Sequence, residues 1–155
     1  MPTWFGRSLV KLFNMEKLLV EKLTPTAKLP TRGHHNDAGL DVYADETVVL
    51  EPHEHRIIKT GIKIAVPDAY VALVWDKGGL AKDGLHTIAG VIDAGYRGEV
   101  GINMINLTAA PYTIKQGQKF AQILIQPVAL CEVSEQTIDD ITSRGDGKHG
   151  STGLF

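Results

Sequence analysis

The feature that most constrains this fold is the placement of proline and glycine, which break the chain at short intervals. Between the breaks lie short runs rich in β-branched and aromatic residues, and almost no segment has the apolar period of a helix. The predicted strands are 18–22, 39–44, 47–50, 55–66, 70–75, 99–107 and 119–128. One helical turn is predicted at 80–82. Many short strands with such breaks predict an all-β sandwich or barrel.

Composition narrows the class of protein. The chain has 155 residues, a common length for a single domain, and no internal repeat. With 18 acidic and 16 basic residues, it has no overall charge that would attract nucleic acid or an anionic membrane. No apolar run reaches the length of a membrane span. A single cysteine, Cys131, excludes an internal disulfide and favours a reducing compartment, so we expect a cytoplasmic protein without nucleic-acid or membrane partners.

Both ends of the chain differ from the β domain that we predict for residues 15–142. Residues 1–14 carry apolar side chains interrupted by charges, which favours a poorly ordered extension. Residues 143–155 contain four glycines and little that could be buried, so this C-terminal arm is expected to be mobile in the free protein. The arm nevertheless carries cations and hydroxyls suited to phosphate oxygens, namely Arg144, Lys148, His149, Ser151 and Thr152.

Residues 89–100 place several side chains that could bind or react with a ligand close together in the sequence. Two β-branched pieces flank a glycine-containing turn, which predicts a tight β-hairpin. Asp93 follows an apolar pair, and Tyr96 and the arginine after it lie between two glycines. A carboxylate, an aromatic ring and a guanidinium on one hairpin indicate a small-molecule pocket. Taken alone, however, a hairpin in which Asp93 caps a turn is the simpler interpretation.

Three other stretches combine polar groups with strands or turns. Asp41 lies in an otherwise apolar strand and needs a polar partner if it is buried. Residues 76–81 form a glycine turn that enters the one helical piece, where backbone N–H groups can meet an anion. Gln122 lies within a hydrophobic run. Taken singly, these features are structural: a hydrogen-bonded acid, a turn at Gly78 and Gly79, and a satisfied core amide.

Taken in order, these stretches resemble the five motifs of the trimeric dUTPases, which convert dUTP to dUMP and pyrophosphate. The motifs match residues 38–44, 76–81, 90–98, 120–126 and 144–153, and the resemblance runs from about residue 15 to the end. It implies a distorted, jelly-roll-like β-barrel with a flexible C-terminal arm. It also implies a homotrimer with its active sites at subunit interfaces, acting to keep uracil out of DNA and to supply dUMP.

The resemblance implies a role for each motif. Asp93 would hold and deprotonate the water that attacks the α-phosphorus, and Tyr96 would lie against the deoxyribose. Main-chain groups of residues 87–91 and of Gly101 would bind uracil, on which His149 would stack. The implied substrate-binding residues are Lys77, Gly78, Gly79, Thr87, Val91, Ile92, Asp93, Tyr96, Gly101, Gln122, Arg144, His149, Gly150, Ser151 and Thr152.

The leaving pyrophosphate requires charge neutralisation. The resemblance implies that Mg²⁺ bound to the triphosphate supplies much of it, together with Lys77 and the backbone at Gly78 and Gly79. No cluster of histidine, cysteine and aspartate in the sequence has metal-ligand spacing, so Mg²⁺ is expected to arrive with the nucleotide. Asp41 and Gln122 would support the phosphate site.

Departures from the family pattern keep two alternatives open. The residues Asp-Lys-Gly-Gly stand at 76–79, where the family usually has Pro-Arg-Ser-Gly, so a guanidinium fork and a hydroxyl are missing. Gly78 therefore favours, as one alternative, a catalytically weakened nucleotide-binding or regulatory homologue. The other alternative is a dCTP deaminase-type enzyme. Asn103 opposes it, because Asn103 stands where that enzyme has its deaminating glutamate, and an amide cannot shuttle a proton.

Overall fold

The computed structural model of the protein describes residues 17–139, 141–143 and 145–146. In chain order the strands are β1 (Leu19–Lys22), β2 (Leu40–Tyr43), β3 (Val48–Leu50), β4 (His55–Lys59), β5 (Ile62–Ala65), β6 (Tyr70–Asp76), β7 (Leu85–Thr87), β8 (Val91–Asp93), β9 (Gly101–Asn106), β10 (Tyr112–Ile114) and β11 (Lys119–Pro127). A short helix, α1 (Gly78–Lys82), follows β6. Within the described ranges, no helical segment has both the length and the apolar character that a bilayer crossing requires. The prediction of an all-β chain is confirmed.

The strands pair antiparallel in four sheets. The largest has the order β2-β11-β6-β8, a second has the order β4-β9-β7, and two further pairs are β1-β5 and β10-β3. β6 therefore lies inside the largest sheet, with β11 on one side and β8 on the other. Because pairing stops between these four sheets, the described strands do not close into a barrel.

Alternate residues along the strands form one hydrophobic core. Ile102 and Met104 of β9 are buried, while the alternate residues Gly101, Asn103 and Ile105 are exposed or half-buried. The sequence predicts that Ile62, Ile64 and Val66 share one face, and all three are buried. Burial of these apolar side chains is the dominant force that holds the sheets together.

The strand boundaries differ from the prediction where the backbone turns sharply. The predicted run 55–66 is two strands, β4 and β5, because Gly61 between them has a φ of 64°. The hydroxyl of the adjacent Thr60 donates to the carbonyl of Val100 at 2.6 Å, which holds this turn in the core. The sequence does not predict β7 and β10, because three residues are too few to show a period.

The tight hairpin predicted for residues 89–100 does not form. β8 pairs with β6, whereas β9 pairs with β4 and β7. The bond that closes the β7–β9 ladder is donated by the N–H of Ile88 to the carbonyl of Asn103, at 2.8 Å. Beyond this bond the two arms separate, and a cavity lies between them.

Gly90 explains why β8 joins β6 rather than β9. Its φ is 142°, and its carbonyl accepts a 2.8 Å hydrogen bond from the N–H of Val74 on β6. A Cβ at this position would lie 2.7 Å from the Cβ of Val74, so the approach requires glycine. The sequence shows the glycine but not the strand that it approaches, which is why the hairpin prediction was wrong.

Candidate active site

A cavity of about 240 Å³ lies between β8, the loop that follows it and the start of β9. Its lining consists of Ile57, Val74, Ile88, Ala89, Gly90, Val91, Ile92, Asp93, Tyr96, Glu99, Val100, Gly101, Ile102 and Asn103. We call it the β8–β9 cavity. It brings together five residues that the sequence predicts around the base and sugar: Val91, Ile92, Asp93, Tyr96 and Gly101. Mostly aliphatic walls with a few polar groups are typical of a small-molecule site.

Asp93 is held at the edge of this cavity by its backbone. It is the last residue of β8, where it pairs with Val71 of β6. Its carbonyl accepts a 3.0 Å hydrogen bond from the N–H of Tyr96, which fixes the turn that follows. Its side chain remains exposed. A general base needs a defined position and access to the proton it removes, and Asp93 combines a fixed backbone with an exposed side chain.

The loop after Asp93 is stiffened by its own side chains. The Tyr96 hydroxyl donates to the carbonyl of Glu99 at 2.9 Å, and a Cβ at Gly98 would overlap the tyrosine ring. Nη1 of Arg97 donates to the carbonyls of Ala94 at 2.6 Å and of Tyr96 at 2.7 Å. The tyrosine ring, 46% exposed, is therefore presented on a closed loop rather than on a free one.

A second, more open groove of about 760 Å³ lies at the far end of β6. Its lining consists of Gly33, His34, Asp37, Ala38, Gly39, Asp41, Trp75, Asp76, Lys77, Lys119, Gln122 and Leu124. We call it the lysine groove. The predicted residues Asp41, Lys77 and Gln122 are among these, whereas Lys119 is not predicted by the motif pattern. The only signal for Lys119 in the sequence is its place directly before the fourth motif.

Asp41 joins the two lysines of the groove. Its Oδ1 accepts from Nζ of Lys77 at 2.7 Å, and its Oδ2 accepts from Nζ of Lys119 at 2.8 Å. Burial raises the pKa of Asp41, but the hydrogen bonds and charges of the two lysines outweigh it, so the pKa lies below its usual value. The bond to Asp41 raises the pKa of Lys119 in turn. The groove thus holds two ordered ammonium groups that can meet an anion.

Asp76 connects the end of β6 to β7 across the helix. Its Oδ1 accepts from the N–H and the hydroxyl of Thr87, at 2.6 and 2.7 Å, and its Oδ2 accepts from Nδ1 of His86 at 2.7 Å. Burial raises the pKa of Asp76, and these hydrogen bonds outweigh it and lower the pKa overall. Thr87 does not line the β8–β9 cavity, and both its donors are used by Asp76. Its contact with the base stays a prediction.

Three further motif residues, Gln122, Gly78 and Gly79, lie in or next to the groove. Nε2 of Gln122 donates to the carbonyl of Asp76 at 2.9 Å, and its Oε1 faces Gly39, so the amide supports the end of β6. Gly78 and Gly79 open α1 directly after Lys77 and are exposed. The predicted arm residues lie outside the described residues: Arg144, His149, Gly150, Ser151 and Thr152.

No described residue lines both the β8–β9 cavity and the lysine groove. Asp93 pairs with Val71, and Asp76 lies five residues further along the same strand. At about 3.3 Å per residue this places Asp76 roughly 17 Å along β6 from the level of Asp93. Val74 of the cavity and Trp75 of the groove are nevertheless adjacent in β6, so the two features adjoin at this strand. One chain therefore carries two adjoining pockets with separate linings.

Each of the three acids that line the groove already accepts hydrogen bonds within the protein. Asp41 binds two lysines, Asp76 binds His86 and Thr87, and Asp37 accepts from the N–H of His34. Across the described ranges, no group of three or more histidine, cysteine or acidic side chains could hold a metal ion.

Comparison with known proteins gives these features a family context. A family model described as dUTPase matches residues 25–153. The deoxyuridine 5'-triphosphate nucleotidohydrolase of Mycobacterium marinum is 44% identical over 145 residues, which cover 88% of this chain and 94% of that protein. The protein of the same name from Mycobacterium tuberculosis strain H37Rv has the same identity and coverage.

Two solved structures resemble this one. The Staphylococcus bacteriophage 80alpha dUTPase with dUPNHPP has a TM-score of 0.84 at 31% identity, covering 89% of this chain and 99% of that one. A mutant dUTPase from phage phi11 of S. aureus, which coordinates a structural Mg(II) ion, has a TM-score of 0.76 at 32% identity. The match covers 81% of this chain and 99% of that one. The predicted all-β, jelly-roll-like fold of the dUTPase type is confirmed by these likenesses. With a family model matching most of its length and relatives at 44% identity, the chain belongs to the dUTPase family.

Proposed function

We propose that this protein hydrolyses dUTP to dUMP and pyrophosphate, with Asp93 as the general base. The observation that carries the proposal is the β8–β9 cavity, in which an apolar wall of base size meets Asp93 and Tyr96. The names of the relatives, deoxyuridine 5'-triphosphate nucleotidohydrolase, support the same reaction. In this assignment uracil occupies the cavity, and the deoxyribose lies on Tyr96.

In the proposed reaction, Asp93 accepts a proton from a water molecule while the water oxygen attacks the α-phosphorus. The bond from the α-phosphorus to the bridging oxygen breaks, and pyrophosphate leaves. The pairing of Asp93 with Val71 fixes the backbone from which the carboxylate reaches its water. Tyr96, whose ring lies against Gly98, is proposed to pack on the deoxyribose and to exclude a ribose 2′-hydroxyl.

Charge neutralisation of the leaving pyrophosphate falls to the lysine groove. Lys77 and Lys119 are ordered on Asp41 and present ammonium groups that can bind phosphate oxygens. Gly78 and Gly79 are proposed to add backbone N–H groups. Mg²⁺, when bound to the triphosphate, supplies further stabilisation of the negative charge. This chain would hold the ion through the substrate rather than through direct ligands.

We further propose that a complete site needs more than one copy of the chain, in a homotrimer. The separate linings of cavity and groove, and the roughly 17 Å of β6 between the level of Asp93 and Asp76, support this. A cavity from one chain and a lysine groove from another would face each other across a subunit interface. The C-terminal arm is proposed to close the site, with His149 on uracil and Arg144, Ser151 and Thr152 on the γ-phosphate.

The proposed reaction assigns the protein to nucleotide metabolism in the cytoplasm. The thiol of Cys131 is exposed and unpaired in the described part of the chain, which fits a reducing compartment. There, hydrolysis of dUTP would keep uracil out of DNA and supply dUMP for dTMP synthesis.

The experiment that tests the reaction is product analysis with purified protein and Mg²⁺. Each of dUTP, dCTP, dTTP, dATP, dGTP and UTP is supplied separately. We expect dUMP and pyrophosphate from dUTP and little turnover of the other nucleotides. Ammonia from dCTP would instead favour the deaminase alternative. Binding of dUTP without any product would favour the weakened, regulatory homologue.

Mixed oligomers test whether sites are shared between copies. An Asp93→Asn chain and a chain lacking residues 144–155 are each expected to be nearly inactive. Under subunit exchange, a site can combine an intact Asp93 from one chain with an intact arm from the other. Recovered activity supports shared sites. Verified mixing without recovery, in every arrangement of the two chains around the ring, would contradict them.

A further inference from the structure

The turn between β4 and β5 lies beside the loop that joins β8 to β9 and carries Tyr96. This turn contains Gly61, whose φ is 64° and whose surroundings leave no room for a Cβ, since that atom would lie 2.7 Å from Cγ of Asp45. The N–H of Leu23 donates to the carbonyl of Gly61 at 2.7 Å. The turn is therefore fixed by other parts of the chain and can anchor the loop beside it.

Three hydrogen bonds connect this turn to the last two residues of the loop. The N–H of Val100 donates to the carbonyl of Ile62 at 2.8 Å, and the carbonyl of Val100 accepts from the hydroxyl of Thr60 at 2.6 Å. The third bond is made by a side chain, because Oε1 of Glu99 accepts from the N–H of Gly61 at 2.9 Å. Val100 is buried and Glu99 is half-buried. The carboxylate therefore extends the anchored segment by one residue into the loop.

Glu99 also holds the ring of Tyr96, through its main chain. The Tyr96 hydroxyl donates to the carbonyl of Glu99 at 2.9 Å, and the N–H of Tyr96 donates to the carbonyl of Asp93 at 3.0 Å. The position of the ring thus depends on the position of residue 99. Because Val100 is held by two bonds of its own, loss of the Glu99 carboxylate would release residue 99 and the ring without releasing β9.

We propose that Glu99 is a positioning residue that sets the preference of the site for deoxyribose over ribose. This inference rests on the proposed function, in which Tyr96 packs on the deoxyribose and excludes a 2′-hydroxyl. A ring excludes one hydroxyl only if it cannot move aside, since a small displacement would admit the extra oxygen atom. The hydrogen bonds from Gly61 through Glu99 to Tyr96 restrain the ring in this way.

Binding of dUMP and UMP to full-length variants tests the proposal, and the ratio of the two affinities is the measured quantity. This ratio does not depend on the fraction of protein that is folded, so a merely structural role of Glu99 would not change it. Glu99→Ala removes the carboxylate. Calorimetry should then show the preference for dUMP reduced about 3- to 10-fold, the range for one lost hydrogen bond.

The acceptor itself is tested by conservative substitution. Glu99→Gln keeps an oxygen that can accept from the N–H of Gly61, so this variant should keep most of the preference for dUMP. If Glu99→Ala prevents folding, Glu99→Leu, which fills more of the space without an acceptor, replaces it with the same expected reduction.

Thr60→Val is the matched control on the same turn. It removes the hydroxyl that donates to Val100, so the thermal midpoint should fall. The ratio of dUMP to UMP affinity should stay the same, because the bond between Glu99 and Gly61 remains.

Tyr96→Phe tests whether Glu99 acts through the ring. This change removes the hydroxyl that binds residue 99, so it should reduce the preference for dUMP by itself. Combined with Glu99→Ala it should cause no further reduction, because both substitutions break the same connection.

An unchanged ratio in a folded Glu99→Ala or Glu99→Leu protein would overturn the proposal. Equal losses of preference in Glu99→Gln and Glu99→Ala, or additive effects of Glu99→Ala and Tyr96→Phe, would also overturn it. So would a wild-type protein without any preference for dUMP over UMP. The proposed reaction is judged separately, because binding is measured without turnover. A protein whose Glu99 sets the preference but which leaves dUTP intact would refute only the reaction.

Discussion

Nδ1 of His86 donates a 2.7 Å hydrogen bond to Oδ2 of Asp76, and so ties the start of β7 to the end of β6. The same carboxylate accepts both donors of Thr87 through its other oxygen. Asp76 stands where the dUTPase pattern usually has proline, which could accept none of these bonds through its side chain. The aspartate therefore adds hydrogen bonds to His86 and Thr87 beside the lysine groove. We call this set of bonds the clamp.

Removing the clamp should destabilise the protein. Asp76→Ala leaves the buried donors of Thr87 without partners, and we expect the free energy of unfolding to fall by about 2 kcal/mol or more. Urea unfolding at neutral pH measures this free energy. His86→Ala is the control. The histidine side chain is 58% exposed, so its loss should change stability by less than about 1 kcal/mol. Equal effects of the two variants would contradict the clamp.

Acid should destabilise the protein through two carboxyls. The pKa values of Asp41 and Asp76 are lowered in the folded protein from an ordinary 3.8. Each therefore stabilises the fold at pH values above its unfolded pKa, and this contribution is lost as the pH falls through the folded pKa. Urea unfolding between pH 7 and pH 3 should show the loss beginning below about pH 5.

The source of the acid effect can be checked by substitution. Asp41→Asn cannot titrate, so its unfolding free energy should depend less on pH in the acid range. Asp68→Asn is the control, since Asp68 is exposed and forms no ion pair with the described residues. An unchanged pH dependence in Asp41→Asn would show that Asp41 is not a source.

Asp93→Asn should abolish most turnover of dUTP. The amide keeps the size of the side chain but cannot accept the proton, and loss of a general base lowers kcat by about 10²- to 10⁴-fold. The affinity for dUMP should change little, because β8 and its pairing with β6 are retained. Single-turnover assays and calorimetry measure these two quantities. Near-normal kcat in this variant would exclude Asp93 as the base.

Gly78→Ser should increase turnover of dUTP. A Cβ at Gly78 meets no atom within 4 Å, so a side chain fits there without strain. The restored hydroxyl can donate to a phosphate oxygen, and we expect a gain in kcat of about 2- to 10-fold, as for one hydrogen bond. Gly78→Ala is the matched control, since it changes the backbone in the same way without the hydroxyl. Equal kcat values in the two variants would mean that the hydroxyl has no role.

Gly90→Ala should reduce turnover by moving Asp93. An added Cβ meets Val74, and the φ of 142° is strained for alanine, so β8 must shift on β6. We expect a fall in kcat of at least about 10-fold, since catalysis depends on such positioning. Gly95→Ala is the control on the other side of β8, because its Cβ would lie in open space. Comparable kcat values for both variants would show that the Gly90 contact does not position Asp93.

The sequence predicts those features that depend on neighbouring residues along the chain. Alternation identifies the buried face of β5, and the short motif around Asp93 and Tyr96 identifies the cavity that these residues line. Contacts between segments that are distant in the sequence are harder to predict. Nothing local in the sequence indicates that Asp76 binds Thr87 or that Lys119 binds Asp41. The first pair joins strands of two different sheets, and the second depends on the register of β11 on β2.

Asn103 shows another feature that the sequence does not predict, namely whether a polar side chain finds hydrogen-bond partners. An asparagine in a strand gives no sign of whether its amide is satisfied, and Asn106 looks the same in the sequence. Only the surroundings in three dimensions distinguish them, with polar atoms around Asn106 and aliphatic walls around Asn103. The partner of β8 was mispredicted for a related reason, because the φ of Gly90 cannot be read from its identity.

β6 carries the partner of Asp93 near one end and Asp76 at the other, so its length sets the spacing of Asp93 and Asp76. Connections on the surface can gain or lose residues over evolutionary time with little effect on that spacing. A single insertion within β6 would instead turn every later side chain to the opposite face of the sheet. Among relatives that keep the activity, β6 should therefore be the segment least free to change length, even where its individual residues drift.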